Sequence, residues 1–248
     1  MKWLLLVPCL LTAVPAAAIL IRPDRDDAEY LELATRYPAS IALPAGGEGV
    51  LVARRWVLTA AHRAKALEEM KPAPKLRIGG RDHDIEAIYI HPDWKTGGAN
   101  DIALVLLRKD VTGIEPTPIY RASDESGKGV AIVGHGESGT IGAKPAAADG
   151  RKRAAINTID RVQPRALGLK IKPADEASDL QGAAAAGDSG GPAIIETQDG
   201  LYVAGVASAT GGEWEQYTRV SAFAPWIDAL MLDIARKEVD SFLDPERR

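Results

Sequence analysis

An all-β body closed by one carboxy-terminal helix is predicted by three observations. From residue 39 onward, short β-branched runs are punctuated by Gly and Pro. Aromatic residues make up only 5% of a chain that is 46% hydrophobic, so the core is built from Val, Ile, Leu and Ala. After Ser221 the period changes. Phe223, Trp226, Ile227, Leu230, Met231 and Ile234 recur at three- and four-residue steps, one apolar face of a helix. A length of 248 residues allows one large unit or two small ones, with ample core in either case.

The amino-terminal 18 residues read as a secretory leader. Lys2 is the positive start, Trp3 to Val14 the apolar stretch, and Ala16-Ala17-Ala18 a small-residue cleavage site. Pro8 interrupts a stretch already short for a bilayer span, which disfavours an anchor helix. Cys9, the sole cysteine, lies in this leader without the small residues a lipoprotein site requires. The mature chain is therefore expected to lack disulfides, thiol nucleophiles and cysteine-ligated metal. Export and release as a soluble, secreted or periplasmic protein is the expectation.

Asp26 or Asp27 is placed to cap a short helix reaching Ala34. Strands are then expected at Gly49–Ala53, Arg55–Thr59, Ile85–Ile90, Ile102–Leu107, Val130–Val133, Ala193–Glu196 and Leu201–Ala207. Glu137 to Gly150 and Lys172 to Ala186 read as loops, and Arg151-Lys152-Arg153 as a solvated basic cluster. Pro225 suits a first helical turn, and Glu238 ends the apolar stripe, giving a helix over about 223–238. A net charge of −4 makes no case for nucleic acid.

Three motifs carry chemistry: Leu58-Thr59-Ala60-Ala61-His62, Asn100-Asp101-Ile102-Ala103-Leu104 and Gly187-Asp188-Ser189-Gly190-Gly191-Pro192. Amide hydrolysis needs a nucleophile, a base that can return a proton, a group that fixes the base, and dipoles for the developing oxyanion. Each motif alone is commonplace, a turn or a core histidine. Together, in this order, they are not. The serine motif also fits the loose G-x-S-x-G of α/β-hydrolases, but that fold needs its histidine after the serine, and His62, His83, His91 and His135 all precede it.

In these motifs the chain resembles the trypsin-like (chymotrypsin-fold) serine proteases, from roughly Ile41 to Ile227. Gly134-His135-Gly136, Tyr217-Thr218-Arg219-Val220-Ser221 and Pro225-Trp226-Ile227 extend the likeness. The resemblance implies two six-stranded antiparallel β-barrels packed together (about 19–120 and 121–221) ahead of the helix. It implies Ser189 as nucleophile, His62 as base and acid, and Asp101 as the orienting carboxylate. The amides of Gly187 and Ser189 are implied as the oxyanion hole, Ser208 as support for Asp101, and Asp188 as partner of a new amino-terminal amine.

By the same resemblance, Ala183, Thr210 and Glu215 border the substrate pocket, leaving the choice between small apolar and basic side chains open. Glu215 reads equally as a solvated loop residue. The sequence departs from the family in lacking its disulfides and the Ile-Val-Gly-Gly start, and in the run Ala183-Ala184-Ala185-Ala186 before the serine turn. Removal of the leader after Ala18 would expose Ile19 as the new amine.

The implied activity is a secreted serine endopeptidase acting through an acyl-enzyme on polypeptide substrates, as a monomer without membrane attachment after leader removal. The alternative is a non-catalytic homologue that binds. No cofactor or metal is expected, since His83, His91 and His135 match no ligand spacing and His91 and His135 read as ordinary loop residues.

Overall fold

The computed structural model describes residues 19–143, 149–211 and 214–243. The proposed leader, residues 1–18, lies outside them. Nine strands and two helices lead to the second half of the chain: β1 Leu20–Ile21, α1 Asp27–Ala34, β2 Ser40–Ala42, β3 Glu48–Ala53, β4 Trp56–Thr59, α2 Ala61–Glu69, β5 Lys75–Ile78, β6 Arg81–Ile90, β7 Ala103–Leu107, β8 Gly129–Gly134 and β9 Gly139–Thr140. Then follow β10 Arg153–Val162, β11 Ala166–Leu169, β12 Gly182–Ala183, β13 Pro192–Thr197, β14 Gly200–Gly211, β15 Trp214–Arg219, a 3₁₀ turn Val220–Phe223 and α3 Ala224–Leu243.

Strands β2-β3-β4-β7-β6-β5 form a six-stranded antiparallel sheet that curls until β2 and β5 approach, a nearly closed barrel. Strands β10-β11-β15-β14-β13-β8 close a second antiparallel barrel, which leaves no free edge. The two-barrel architecture with its terminal helix is the one expected. In the first barrel, β4 and β7 are buried along their whole length, which is why Trp56–Thr59 and Ala103–Leu107 read as unbroken apolar runs.

The first-barrel core continues through Val203, Val206 and Val220 of the second barrel into Phe223 and Ile227, so one apolar cluster joins barrel, barrel and helix. His91 packs edge-on against Phe223 and on Trp226, centroids 5.2 and 4.9 Å away, so it belongs to this joint rather than to a free loop. Arg121 pairs with Asp228, and Arg55 with Glu238, fastening α3 outside the core. The helix runs to Leu243, beyond the expected end near 238, and Val239 and Phe242 are exposed there. Among the described residues no helix is long and apolar enough to cross a membrane.

The segment from Ile19 to Tyr37 packs on the second barrel. β1 pairs antiparallel with β12 and parallel with β9, and Ile19, Ile21 and Tyr30 enter the second core. Asp26 caps α1 in a full capping box, its carboxylate accepting from Ala28 N while Glu29 reaches back to Asp26 N. Asp27, one residue on, meets Arg153. That guanidinium, 2% exposed, donates to both oxygens of Asp27 and both of Asp149. Lys152 is also largely withdrawn from water and donates to the carbonyls of Tyr37 and Ser40. The reading of residues 151–153 as a solvated cluster holds for the exposed Arg151 but is overturned for Lys152 and Arg153: an arginine that looks free in sequence starts strand β10 and anchors α1 through Asp27, 126 positions away.

Candidate active site

β4 ends at Thr59 and α2 starts at Ala61, which sets His62 in the first helical turn. Ala60 offers no side-chain cap, so the exposed N–H groups of that turn need another acceptor. Asp101 supplies it. Its Oδ1 accepts the His62 amide at 3.0 Å, and its Oδ2 lies 2.7 Å from His62 Nδ1. One carboxylate therefore caps the helix and orients the ring. Asn100 takes φ 65°, tolerable for Asn, and turns the chain so that Asp101 faces α2.

Ser208 donates to Asp101 Oδ2 at 2.7 Å. The β14–β15 register shifts between Ala207 and Ala209, and this bulge turns Ser208 out of the ladder toward the carboxylate. Thr218 Oγ1 holds the Asp101 carbonyl at 2.9 Å. Burial raises the Asp101 pKa, but the bonds from His62 and Ser208 outweigh it and hold the carboxyl below its ordinary value.

The Ser189 turn is shaped by two left-handed glycines, Gly187 at φ 97° and Gly190 at φ 88°. The amides of Asp188, Gly190 and Gly191 are bonded to Ala185, Ala207 and Asp188 carbonyls. Those of Gly187 and Ser189 donate to no carbonyl among the described residues. Asp188 is 1% exposed. Its Oδ1 accepts from Gly136 N at 2.8 Å, and its Oδ2 from Ala185 N at 2.8 Å and Ile19 N at 3.4 Å. Burial pushes its carboxyl up to about 7 against those bonds.

Ala183 and Ala184 are buried, and Glu215 in β15 accepts from Ala184 N at 2.9 Å and from Tyr217 Oη at 3.5 Å. Glu215 is 8% exposed and its carboxyl is raised to about 8 by burial, so it is not a solvated loop residue. Thr210 pairs with Glu215 in register, but its side chain lies outside the described part. Two adjoining clefts of about 340 and 430 Å³ share Asp101, Ser208 and Gln216 and run from His62 and Trp94 to Arg165. Among the described residues no cluster of His, Cys, Asp or Glu is placed to hold a metal ion.

The sequence model of the trypsin family matches residues 31–227. The chain belongs to the trypsin family. It is similar to serine protease SP24D of Anopheles gambiae, 28% identical over 215 residues that cover 79% of this chain and 77% of that protein. It is similar to the complement C1s subcomponent of Sus scrofa at 28% identity over 243 residues, 77% of this chain and 33% of that protein. The C1s likeness thus takes in a third of the larger protein.

With a single cysteine in its sequence, this trypsin-family chain carries buried ion pairs that fasten its loops and α1. Arg219 donates one guanidinium edge, Nε and Nη2, to the two oxygens of Glu125, which is wholly buried and also bound by Ser221, while Arg153 grips α1. One residue beside the site was missed in the sequence and another was misread. Glu48 is 1% exposed and accepts His135 N at 2.7 Å, with His135 Nδ1 2.9 Å away. His135, read as a loop residue, is the partner of a buried carboxyl group. His135 stands in the Gly134-His135-Gly136 motif, which says nothing of a carboxyl partner, and for Glu48 only a charged residue opening a buried strand was available as a signal.

Proposed function

We propose that the chain is a secreted serine endopeptidase that cleaves peptide bonds through an acyl-enzyme. The observation that carries this reading is the Asp101 carboxylate bonded at once to His62 Nδ1, His62 N and Ser208. That arrangement fixes the ring with its Nδ1 proton on Asp101 and leaves Nε2 as the basic nitrogen. Nε2 takes the Ser189 Oγ proton as Oγ bonds to the substrate carbonyl carbon. The oxyanion that forms accepts from the Gly187 and Ser189 amides. Collapse expels the amine with the proton from Nε2, and water repeats the sequence on the ester.

Leader removal after Ala18 is the activating event in this reading. Ile19 has φ 59°, an unfavourable torsion for a β-branched residue. The torsion is defined only while residue 18 remains attached, so cleavage there abolishes it. The Ile19 nitrogen then becomes an ammonium beside Asp188, which lowers the carboxyl that burial had raised. Glu215, buried against the Ala184 amide and holding its proton while no cation is near, ionises when a basic substrate side chain reaches it, and so favours such a side chain over a small apolar one.

The test is fluorophosphonate labelling of the processed protein beside Ser189→Ala and His62→Ala. Labelling lost in both variants is expected. A well-folded, processed wild type that does not label would overturn the reading in favour of a binding homologue. Cleavage of Lys and Arg peptides, lost in Glu215→Gln, checks the side-chain preference; equal cleavage of all peptides by both proteins would overturn it.

A further inference from the structure

A buried carboxyl group is costly unless it is well bonded, and Glu48 is bonded on every side. Its amide donates to the Ser189 carbonyl at 2.8 Å, and its own carbonyl accepts Thr59 Oγ1 at 2.6 Å. A Cβ at Gly190 would stand 2.3 Å from that carbonyl, so the nucleophile turn rests directly on the Glu48 main chain. The side chain leaves β3 in the first barrel and reaches His135, just past the end of β8 in the second. The next residue, Gly136, donates to Asp188, and Glu137 N donates to the Ala186 carbonyl. Both the front and the back of the Ser189 turn therefore depend on one residue of the opposite barrel.

We propose that Glu48 is a positioning residue for the reaction, holding the Ser189–Gly190 turn with its main chain and the Gly134–Gly136 segment, through His135, with its carboxyl group. The inference rests on the serine-protease reading above. The charged and titratable groups facing the pair are Lys152 from β8's neighbouring segment before β10, whose charge acts on both members, and Asp188 from the nucleophile turn. Burial drives the Glu48 carboxyl up and the His135 imidazole down, so it favours the neutral form of each. When Glu48 ionises, its charge opposes that of Asp188 and loosens the carboxylate that anchors the turn.

Glutamine copies the shape and donor pattern of a protonated glutamic acid but cannot ionise. The experiment is the fluorophosphonate labelling rate of the processed protein between pH 5 and 10, for wild type, Glu48→Gln, Glu48→Leu and His135→Gln, with Tm measured for each. Glu48→Gln is expected to label within about threefold of wild type at its optimum, with a limb of the pH profile moved by at least about half a pH unit. Glu48→Leu, which loses the bonds to His135, is expected to label about 10- to 100-fold more slowly. His135→Gln keeps a donor toward Glu48, reports if the leucine variant does not fold, and should shift the same limb.

Profiles of Glu48→Gln and His135→Gln that superimpose on wild type would overturn the inference, leaving a clamp that affects only stability. So would a folded Glu48→Leu that labels at the wild-type rate. Absence of labelling in processed wild type would overturn the protease reading, and this inference with it.

Discussion

Replacing Asp101 with Asn changes one atom and tests the proton logic of the site. The carboxylate faces three donors: His62 N at Oδ1, and His62 Nδ1 and Ser208 Oγ at Oδ2. An amide offers one acceptor oxygen and one donor nitrogen. The His62 main-chain N–H can only donate, so the Asn oxygen takes the Oδ1 position. The NH₂ group then points at Nδ1, which must become the acceptor. The ring proton moves to Nε2, and in the proposed mechanism Ser189 loses its base.

General-base assistance is worth about 10²–10⁴ in rate. The same substitution removes the charge that stabilises the imidazolium, so the loss should fall in the upper part of that range rather than multiply with it. The helix cap survives, so Tm should stay within a few degrees of wild type. Asp101→Ala, which loses the cap as well, should fall further in Tm. The assay is the second-order labelling rate with a fluorophosphonate, read beside kcat/KM on a small ester. An Asn variant that keeps more than about a tenth of the wild-type rate would refute the assignment of His62 as base.

Three further outcomes follow from the same geometry. Arg153→Met strands Asp27 and Asp149, a loss of about 3 kcal/mol because Asp27 is partly exposed; calorimetry should show Tm lower by about 6–12 °C, and a drop under about 3 °C would mean that solvent already screens the pair. The folded chain keeps a proton on Glu215 up to about pH 8, where the unfolded chain releases it near 4.5, so stability falls as pH rises through that window. Glu215→Gln should flatten Tm against pH between about 4.5 and 8, and a slope equal to wild type there would contradict it. Gly190→Ala forces a Cβ to 2.3 Å from the Glu48 carbonyl at φ 88° and should abolish labelling while lowering Tm; retained labelling would show that the turn can be built otherwise.

Strands with continuous buried runs, such as Ala103–Leu107, were legible because both faces are covered and every position is apolar. Strand β10 was not, because it opens on Arg153, whose burial depends on two aspartates remote in sequence or across a loop. Helix α2 was hidden for a similar reason: Asp101, 39 positions away, supplies the cap that local sequence lacks. His62, Asp101 and Ser189 stood out through motif context, whereas Glu48 carries no local signature and the glycines beside His135 do not announce a carboxyl partner. Their meaning appears only when β3 and the end of β8 are brought together. Glu215 looked solvated because its neighbours Glu213 and Gln216 are polar; pairing of β15 with β11 and β14 turns it inward.

The position of β1 has a consequence for timing. Ile19 touches Asp188 across 169 positions, and β1 lies between β9 and β12, segments made far later by the ribosome. A contact of such long range closes late, after nearly the whole chain has been made and the second barrel has a surface to receive it. Until then β9 and β12 present unpaired edges. The first residues of the described chain are therefore late to find their place, and the neighbourhood of Ser189 is completed by a segment made long before it.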